Sequence, residues 1–318
     1  MNPALPKINE LNISRKSGVK NRLPAWFRQD IPDAEAKAGM RLFSGLNVHT
    51  VCQEARCPNL SRCFKNLEFT FMILGDTCTR DCRFCAVTKT SKKTLPIDQN
   101  EPGKVGRIIK LLDLSYVVIT SVTRDDLNDG GAGEFARTIG LIRRINKNTK
   151  IEALIPDFSG HFDSLKTVIM SKPAVLAHNL ETISRLYPQL RPQAGYLRSL
   201  ELLARIKSVN RALITKSSLM LGLGETEEEI IEAMADLRYC QCDILTLGQY
   251  LAPSKEHYPV QEFINIEQFR RYKEVGLDLG FKAVLSGPKV RSSYQAGKIY
   301  NELALLHNNG QLPISNVK

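Results

Sequence analysis

The chain has 318 residues, 43% of them hydrophobic, and carries 44 Lys and Arg against 33 Asp and Glu, a formal charge of +11. That length buries a substantial core, while the lack of any 18-residue apolar run excludes a membrane-spanning helix. The basic balance fits a solvated lysine-rich surface or an acidic partner, and charge alone does not choose between them. Eight cysteines in a chain this long, with no apolar signal segment at its start, point away from a disulfide framework and towards a reducing cytoplasm. The first stretch carries Lys7, Arg15, Lys16 and Lys20 but also Glu10, and lacks an arginine- and serine-rich transit pattern.

In chain order, the first notable group is Cys52, Cys57 and Cys63, and a second, Cys78, Cys82 and Cys85, follows closely. Three thiolates per group is the informative number. Structural zinc takes four protein ligands, whereas an iron–sulfur cubane held by three cysteines keeps one iron for a substrate, a cofactor or an unusual fourth ligand. Only Cys82 and Cys85 show the spacing of a zinc knuckle, and the polar neighbours Thr79, Arg80, Asp81 and Arg83 make a poor buried core. Two clusters are expected, each with an open or exchangeable iron.

Beyond the first triplet, apolar β-branched runs at 69–75, 116–122, 151–156, 175–180, 213–223 and 244–251 alternate with helical patterns near 103–112, 133–147, 162–171, 196–209, 226–239 and 266–279. This βα repeat predicts a parallel sheet. Polar clusters follow the runs, at 76–85, 124–131, Asp157, 178–181 and 222–225, where the sites of βα proteins gather. Six units predict an α/β fold, a partial (β/α)6 TIM-type barrel over residues 66–281. Its open side is expected to be covered by an N-terminal extension, 1–65, with the first triplet, and a C-terminal extension, 282–318. An open doubly wound sheet is the competing architecture. Cys240 and Cys242, outside both triplets, read as buried strand thiols.

Cys78-x3-Cys82-x2-Cys85 after a strand, with Phe84 before the last cysteine, resembles the signature of the radical S-adenosylmethionine superfamily. The resemblance implies that S-adenosylmethionine chelates the fourth iron and that the reduced cluster cleaves it to a 5′-deoxyadenosyl radical. It also marks Asp129-Gly130-Gly131 as a turn near the methionyl amine, which an ordinary βα turn explains equally well. Asn179 and Glu181 become candidate partners of ribose and amine, and Leu219-Met220-Leu221-Gly222 with Glu225 resembles the stretch beside the adenine. Arg198 and Lys216 become candidates for the methionyl carboxylate.

The first triplet narrows the family. Val48-His49-Thr50-Val51-Cys52 and Ala55-Arg56-Cys57-Pro58-Asn59-Leu60, placed before the second triplet, resemble the lipoyl synthase family, as do 117–126, 155–158, 178–182, 248–251 and 286–288. In that family a serine of the motif found here as Arg291-Ser292-Ser293-Tyr294 ligates the fourth iron of an auxiliary cluster; the role is carried to Ser293, with Ser292 as the alternative. A serine alkoxide suits iron less well than a thiolate and is easier to displace. The resemblance implies two 4Fe–4S clusters and S-adenosylmethionine as cofactors. The implied reaction inserts two sulfurs, at C6 and C8, into an octanoyl chain on a lysine of a lipoyl domain, with the auxiliary cluster as sulfur source. Implied partners are the octanoylated lipoyl domains of 2-oxoacid dehydrogenase E2 subunits, the glycine-cleavage H protein, an electron donor such as ferredoxin or flavodoxin and a cluster-repair protein, with no nucleic acid and no membrane. Lipoyl domains are commonly acidic, which gives the +11 charge a use.

Two departures stand out. Ser218 ends Thr215-Lys216-Ser217-Ser218 where the family usually has glycine, so a positive φ there would strain it. Phe64-Lys65-Asn66 replaces a tryptophan-containing turn. Other readings fit less well. A tRNA methylthiotransferase is expected to carry an appended RNA-binding module. Biotin synthase has its auxiliary cysteines after the radical triplet, and a two-cluster electron carrier needs no six-unit βα body.

Overall fold

Short, mostly buried strands, most of them followed by a helix, build the protein. The computed structural model describes Pro24, Phe27 and residues 31–90 and 95–308. The basic residues Lys7, Arg15, Lys16 and Lys20 lie outside that set. Helix α1 (Ala34–Gly45) starts at Asp33, whose carboxylate accepts the Ala36 N–H at 2.9 Å. Strand β1 (His49–Thr50) and two short helices, α2 (Val51–Glu54) and α3 (Leu60–Lys65), follow. Next come β2 (Thr70–Ile73), β3 (Thr77–Cys78), β4 (Thr88–Lys89), α4 (Glu101–Leu111), β5 (Tyr116–Ser121), α5 (Ala132–Ile145), β6 (Lys150–Leu154) and α6 (Phe162–Met170). The rest is β7 (Val175–Ala177), α7 (Tyr187–Leu190), α8 (Tyr196–Val209), β8 (Ile214–Leu221), α9 (Glu227–Tyr239), β9 (Ile244–Gln249), α10 (Ile266–Asp278), β10 (Ala283–Gly287) and α11 (Ala296–Asn308).

The main sheet runs β1-β2-β5-β6-β7-β8-β9-β10, parallel throughout except that β1 is antiparallel to β2. Because the order never reverses, there is no switch point of the kind a doubly wound sheet requires. The result is the expected partial barrel, unclosed, with β1 and β10 as its edges. Strand β10 is a seventh parallel strand in the stretch after residue 282, pairing Ala283 with Ile244 and Gly287 with Gly248. Ala283-Val284-Leu285 is too short an apolar run to announce itself in the sequence. Ser218 lies in β8 and is not among the residues of positive φ, so the expected strain is absent.

Alternation along the strands divides two environments. Val117, Ile119, Ile151, Ala153, Leu176, Leu219, Leu221, Leu245 and Leu247 join the main core on the helix-covered face. The opposite, concave face is filled at one end by α11, whose Ile299 and Leu303 pack with Ile244, while Tyr300 stacks 5.5 Å from Tyr116. Four phenylalanines fasten the N-terminal helices to β2: Phe43 lies 4.9 Å from Phe69 and 5.6 Å from both Phe64 and Phe71. Cys240 and Cys242 are buried, as expected, but they lie in the turn between α9 and β9 and not on a strand; Cys242 Sγ donates to the Ile244 carbonyl at 3.4 Å.

The concave face also encloses an ion pair. Lys216 Nζ donates to the two oxygens of Glu152 at 2.8 and 3.1 Å, and Tyr116 O–H donates to the same carboxylate at 2.7 Å. Both charged side chains are almost fully withdrawn from water. Glu152→Gln, which strands the ammonium, is expected to cost about 3–5 kcal/mol in urea denaturation, and a Glu152→Gln/Lys216→Met pair is expected to recover most of that loss.

Candidate active site

The second triplet sits on the loop that leaves β2. The chain turns through Leu74 and Gly75, both at positive φ, and Glu101 at the start of α4 accepts their N–H groups at 2.6 and 3.1 Å. Helix α5 begins against this turn, because a Cβ on Gly131 would collide with the Leu74 side chain. Asp129-Gly130-Gly131 thus packs the loop from behind, and the Asp129 carboxylate caps α5 by accepting from Gly131 and Gly133 at 2.9 and 2.7 Å. A parallel ribbon of β3 and β4 closes the cysteine loop at its base.

Arg80, inside the Cys78-to-Cys82 spacing, anchors the loop to two strand ends. Its guanidinium, almost fully buried, donates to Asp125 at 2.7 and 2.8 Å and to Asp157 at 2.6 Å, and its N–H reaches Cys78 Sγ at 3.4 Å. Opposite, the His257 ring lies 3.2 Å from the Cys85 carbonyl, and Tyr258 N–H donates to the Arg83 carbonyl at 3.0 Å.

Burial pushes the Cys85 thiol up to about 12, and repulsion from Cys82 and Cys78 adds to it. Burial likewise raises Cys82, but the Arg191 guanidinium pulls it back by charge and by a hydrogen bond. Arg191 itself is held by neutral groups, donating to the carbonyls of Asn179 and Leu180 at 3.3 and 3.2 Å and to Tyr187 Oη at 2.9 Å. Glu181, at positive φ, accepts from Asn179 Nδ2 at 2.9 Å, and desolvation raises its carboxyl despite the nearby Arg191. Asn179 Oδ1 and Arg191 Nε are buried with no hydrogen-bond partner among the described residues. Glu225 accepts the N–H groups of Gly222 and Leu223, closing the turn after β8.

The candidates for the methionyl carboxylate lie apart from this group. Lys216 is closed by Glu152 on the concave face, and Arg198, half-buried, is paired with Asp157 at 3.2 Å. Arg191 was not evident in the sequence: an arginine before Pro192 looks like any surface cation.

The first triplet is built from helix turns. Cys52 lies in α2, capped by Thr50, and Cys63 in α3, with Cys57 between them. Burial drives the Cys52 thiol up to about 12 and Cys63 higher still, with mutual repulsion among the three. The chain's far end packs against them. Asn59 Nδ2 donates to the Lys289 carbonyl at 2.6 Å, the Arg62 guanidinium lies over the Tyr294 ring, and burial lowers Arg291 while the charge of Cys57 pulls it back. Gly248 permits this, since a Cβ there would collide with the Val290 carbonyl. Ser293 Oγ lies 2.7 Å from Thr70 Oγ1 at the head of β2.

Each group offers three thiol donors. Among the described residues, no three His, Cys, Asp or Glu side chains converge as ligands of one metal ion. A cubane is held one thiolate per iron corner, so its ligands stay apart. The donor sets, and the orphaned polar atoms of Asn179 and Arg191 beside the second triplet, fit a cluster with a polar ligand on its free iron.

His178 lies behind this group. Its ring is fully buried between the Ile155 carbonyl at 2.9 Å and Ser199 Oγ at 3.0 Å, and burial, then the charge of Arg191, lower it to about 4.

Comparison with known proteins agrees. Residues 72–237 match the radical SAM superfamily, and residues 3–57 match the N-terminal domain of lipoyl synthase of the radical SAM family. The chain is 50% identical over 279 residues to the lipoyl synthase of Caldicellulosiruptor saccharolyticus, covering 87% of this chain and 97% of that protein. It is 52% identical over 275 residues to the lipoyl synthase of Geotalea daltonii, covering 86% and 92%. The fold is similar to that of methylornithine synthase, with a TM-score of 0.51 at 15% identity over 89% of this chain and 80% of that one.

The unfolded chain binds a proton on His178 more readily than the folded one does. Its stabilisation is therefore complete above about pH 6.5 and lost as pH falls through 4. Denaturation midpoints measured across that window are expected to flatten in His178→Gln, by at most about 3 kcal/mol.

Proposed function

Because the chain belongs to the lipoyl synthase family of radical S-adenosylmethionine enzymes, we propose that its two triplets hold two 4Fe–4S clusters with different tasks. The enzyme is a sulfurtransferase that inserts two sulfur atoms, at C6 and C8, into the octanoyl chain of lipoyl-domain substrates. When bound, the clusters and S-adenosylmethionine supply the radical that removes hydrogen and the sulfide that replaces it. The chain's own residues bind, orient and shield.

Cys78, Cys82 and Cys85 hold the radical-forming cluster, on a loop kept rigid by Arg80 and Glu101. Asn179 and Glu181 face the amine and ribose of S-adenosylmethionine. Arg191 takes the methionyl carboxylate, since no carboxylate hydrogen-bonds it and its Nε is buried without a partner, whereas Lys216 is engaged by Glu152. Arg198, on α8 and paired with Asp157, lies outside that group. Cys52, Cys57, Cys63 and Ser293 hold the auxiliary cluster that gives up its sulfide. Met72, Leu154, Ala177 and Met220 share the concave face by strand register and offer an apolar wall to an eight-carbon chain. The observation that supports this reading is the contact of Ser293 with Thr70, in the C-terminal segment that Asn59 holds beside the first triplet, which would give the two thiol groups different fourth partners.

The substrates are octanoylated lipoyl domains of E2 subunits and the glycine-cleavage H protein, met in the cytoplasm. A ferredoxin or flavodoxin supplies electrons, and a repair protein rebuilds the spent cluster. No helix among the described residues is long and apolar enough to cross a membrane.

Anaerobic incubation of the reconstituted protein, reductant and S-adenosylmethionine with an octanoylated lipoyl-domain peptide tests this. The peptide is expected to gain two sulfurs by mass spectrometry. Deoxyadenosine formed without sulfur gain would remove the assigned substrate and leave the radical chemistry.

A further inference from the structure

Thr70 is the first residue of β2, and its side chain is almost fully buried. Its hydroxyl lies 2.7 Å from Ser293 Oγ, although 223 residues separate the two, and its backbone N–H works against burial in lowering the Cys52 thiol. Between two hydroxyls either could donate. A serine oxygen that ligates iron has given up its proton and can only accept.

We propose that Thr70 is the positioning residue that holds Ser293 as an iron ligand, donating its hydroxyl hydrogen to the ligating oxygen. This rests on the assignment of Ser293 made above. A hydrogen bond to an oxygen carrying charge is stronger than one between neutral groups, and a buried donor has no water to compete with it. Serine is the weakest of the four ligands on this cluster, so the donor beside it governs how long the fourth iron stays.

The backbone of the serine segment does not depend on that hydroxyl. Asn59 binds the Lys289 carbonyl, Gly248 admits Val290, Arg62 covers Tyr294, and Tyr294 N–H donates to the Arg291 carbonyl at 3.0 Å. Thr70→Val therefore removes the donor, keeps the branched shape suited to a strand and leaves the backbone contact with Cys52.

The test is iron release to a chelator from the reconstituted holoenzyme, without S-adenosylmethionine or substrate, together with the electron paramagnetic resonance signal of the three-iron form. Thr70→Val is expected to speed release roughly tenfold, the lower end of the scale of one hydrogen bond to a charged group, and Ser293→Ala, which removes the ligand, at least as much. Thr70→Ser is expected to match the wild type, and the Thr70→Val/Ser293→Ala pair to release iron no faster than Ser293→Ala alone. A wild-type rate in Thr70→Val with fast release in Ser293→Ala would overturn the proposal and keep the serine ligand. Faster release from the pair than from Ser293→Ala would also overturn it, since Thr70 would then act on the fold and not through the serine. A wild-type rate in Ser293→Ala would remove the ligand assignment and this proposal with it.

Discussion

Strand β2 ties the two thiol groups into one geometry. Its first residue, Thr70, touches Cys52 and Ser293, while its exit at Leu74 and Gly75, pinned by Glu101, starts the loop of the second triplet. From Thr70 to Leu74 an extended chain rises roughly 13 Å. Everything packed around β2 preserves it: the four phenylalanines on one side, Gly131 against Leu74 on the other, and β5 along its length.

Desolvation works against every ligand thiol for which a shift is evident. Cys52 and Cys85 are raised to about 12, and Cys63 and Cys82 are raised as well. Thiolates at such sites need compensating charge, and the proposed ligation by iron would supply it and so link cluster assembly to local folding. The chain contributes unequally on the two sides. Arg191 faces Cys82 from a cradle of neutral acceptors, and behind it Tyr187, Ser199 and His178 form a buried hydrogen-bonded chain. At the first triplet, Arg291 near Cys57 and the threonine hydroxyl are the corresponding aids. The second triplet is backed by buried order, whereas the first leans on the segment around Lys289 to Tyr294.

Much of this was legible in the residues. The cysteine spacings and the alternation of apolar runs with helical patterns pointed to the partial barrel and to the family, because local periodicity is what a βα repeat writes most clearly. Strand β10 was missed because five residues with two glycine-proximal ends carry little period. Lys216 shows the opposite limit. Its place at a strand was plain, but which carboxylate would face it across the barrel depends on the register of β6 and β7, which no local pattern records. Arg80, Arg191 and Thr70 matter through partners far away in sequence. Such residues look ordinary until the strand ends are brought together.

The central claim is that the triplets hold separate clusters, one for making the radical and one for giving up sulfur. Removing each triplet by alanine substitution, then measuring iron content and cleavage of S-adenosylmethionine, tests it most directly. Without Cys52, Cys57 and Cys63 the protein is expected to keep about half its iron and still cleave S-adenosylmethionine. Without Cys78, Cys82 and Cys85 it is expected to keep about half and cleave none. Unchanged iron after loss of the first triplet, or cleavage surviving loss of the second, would contradict the account.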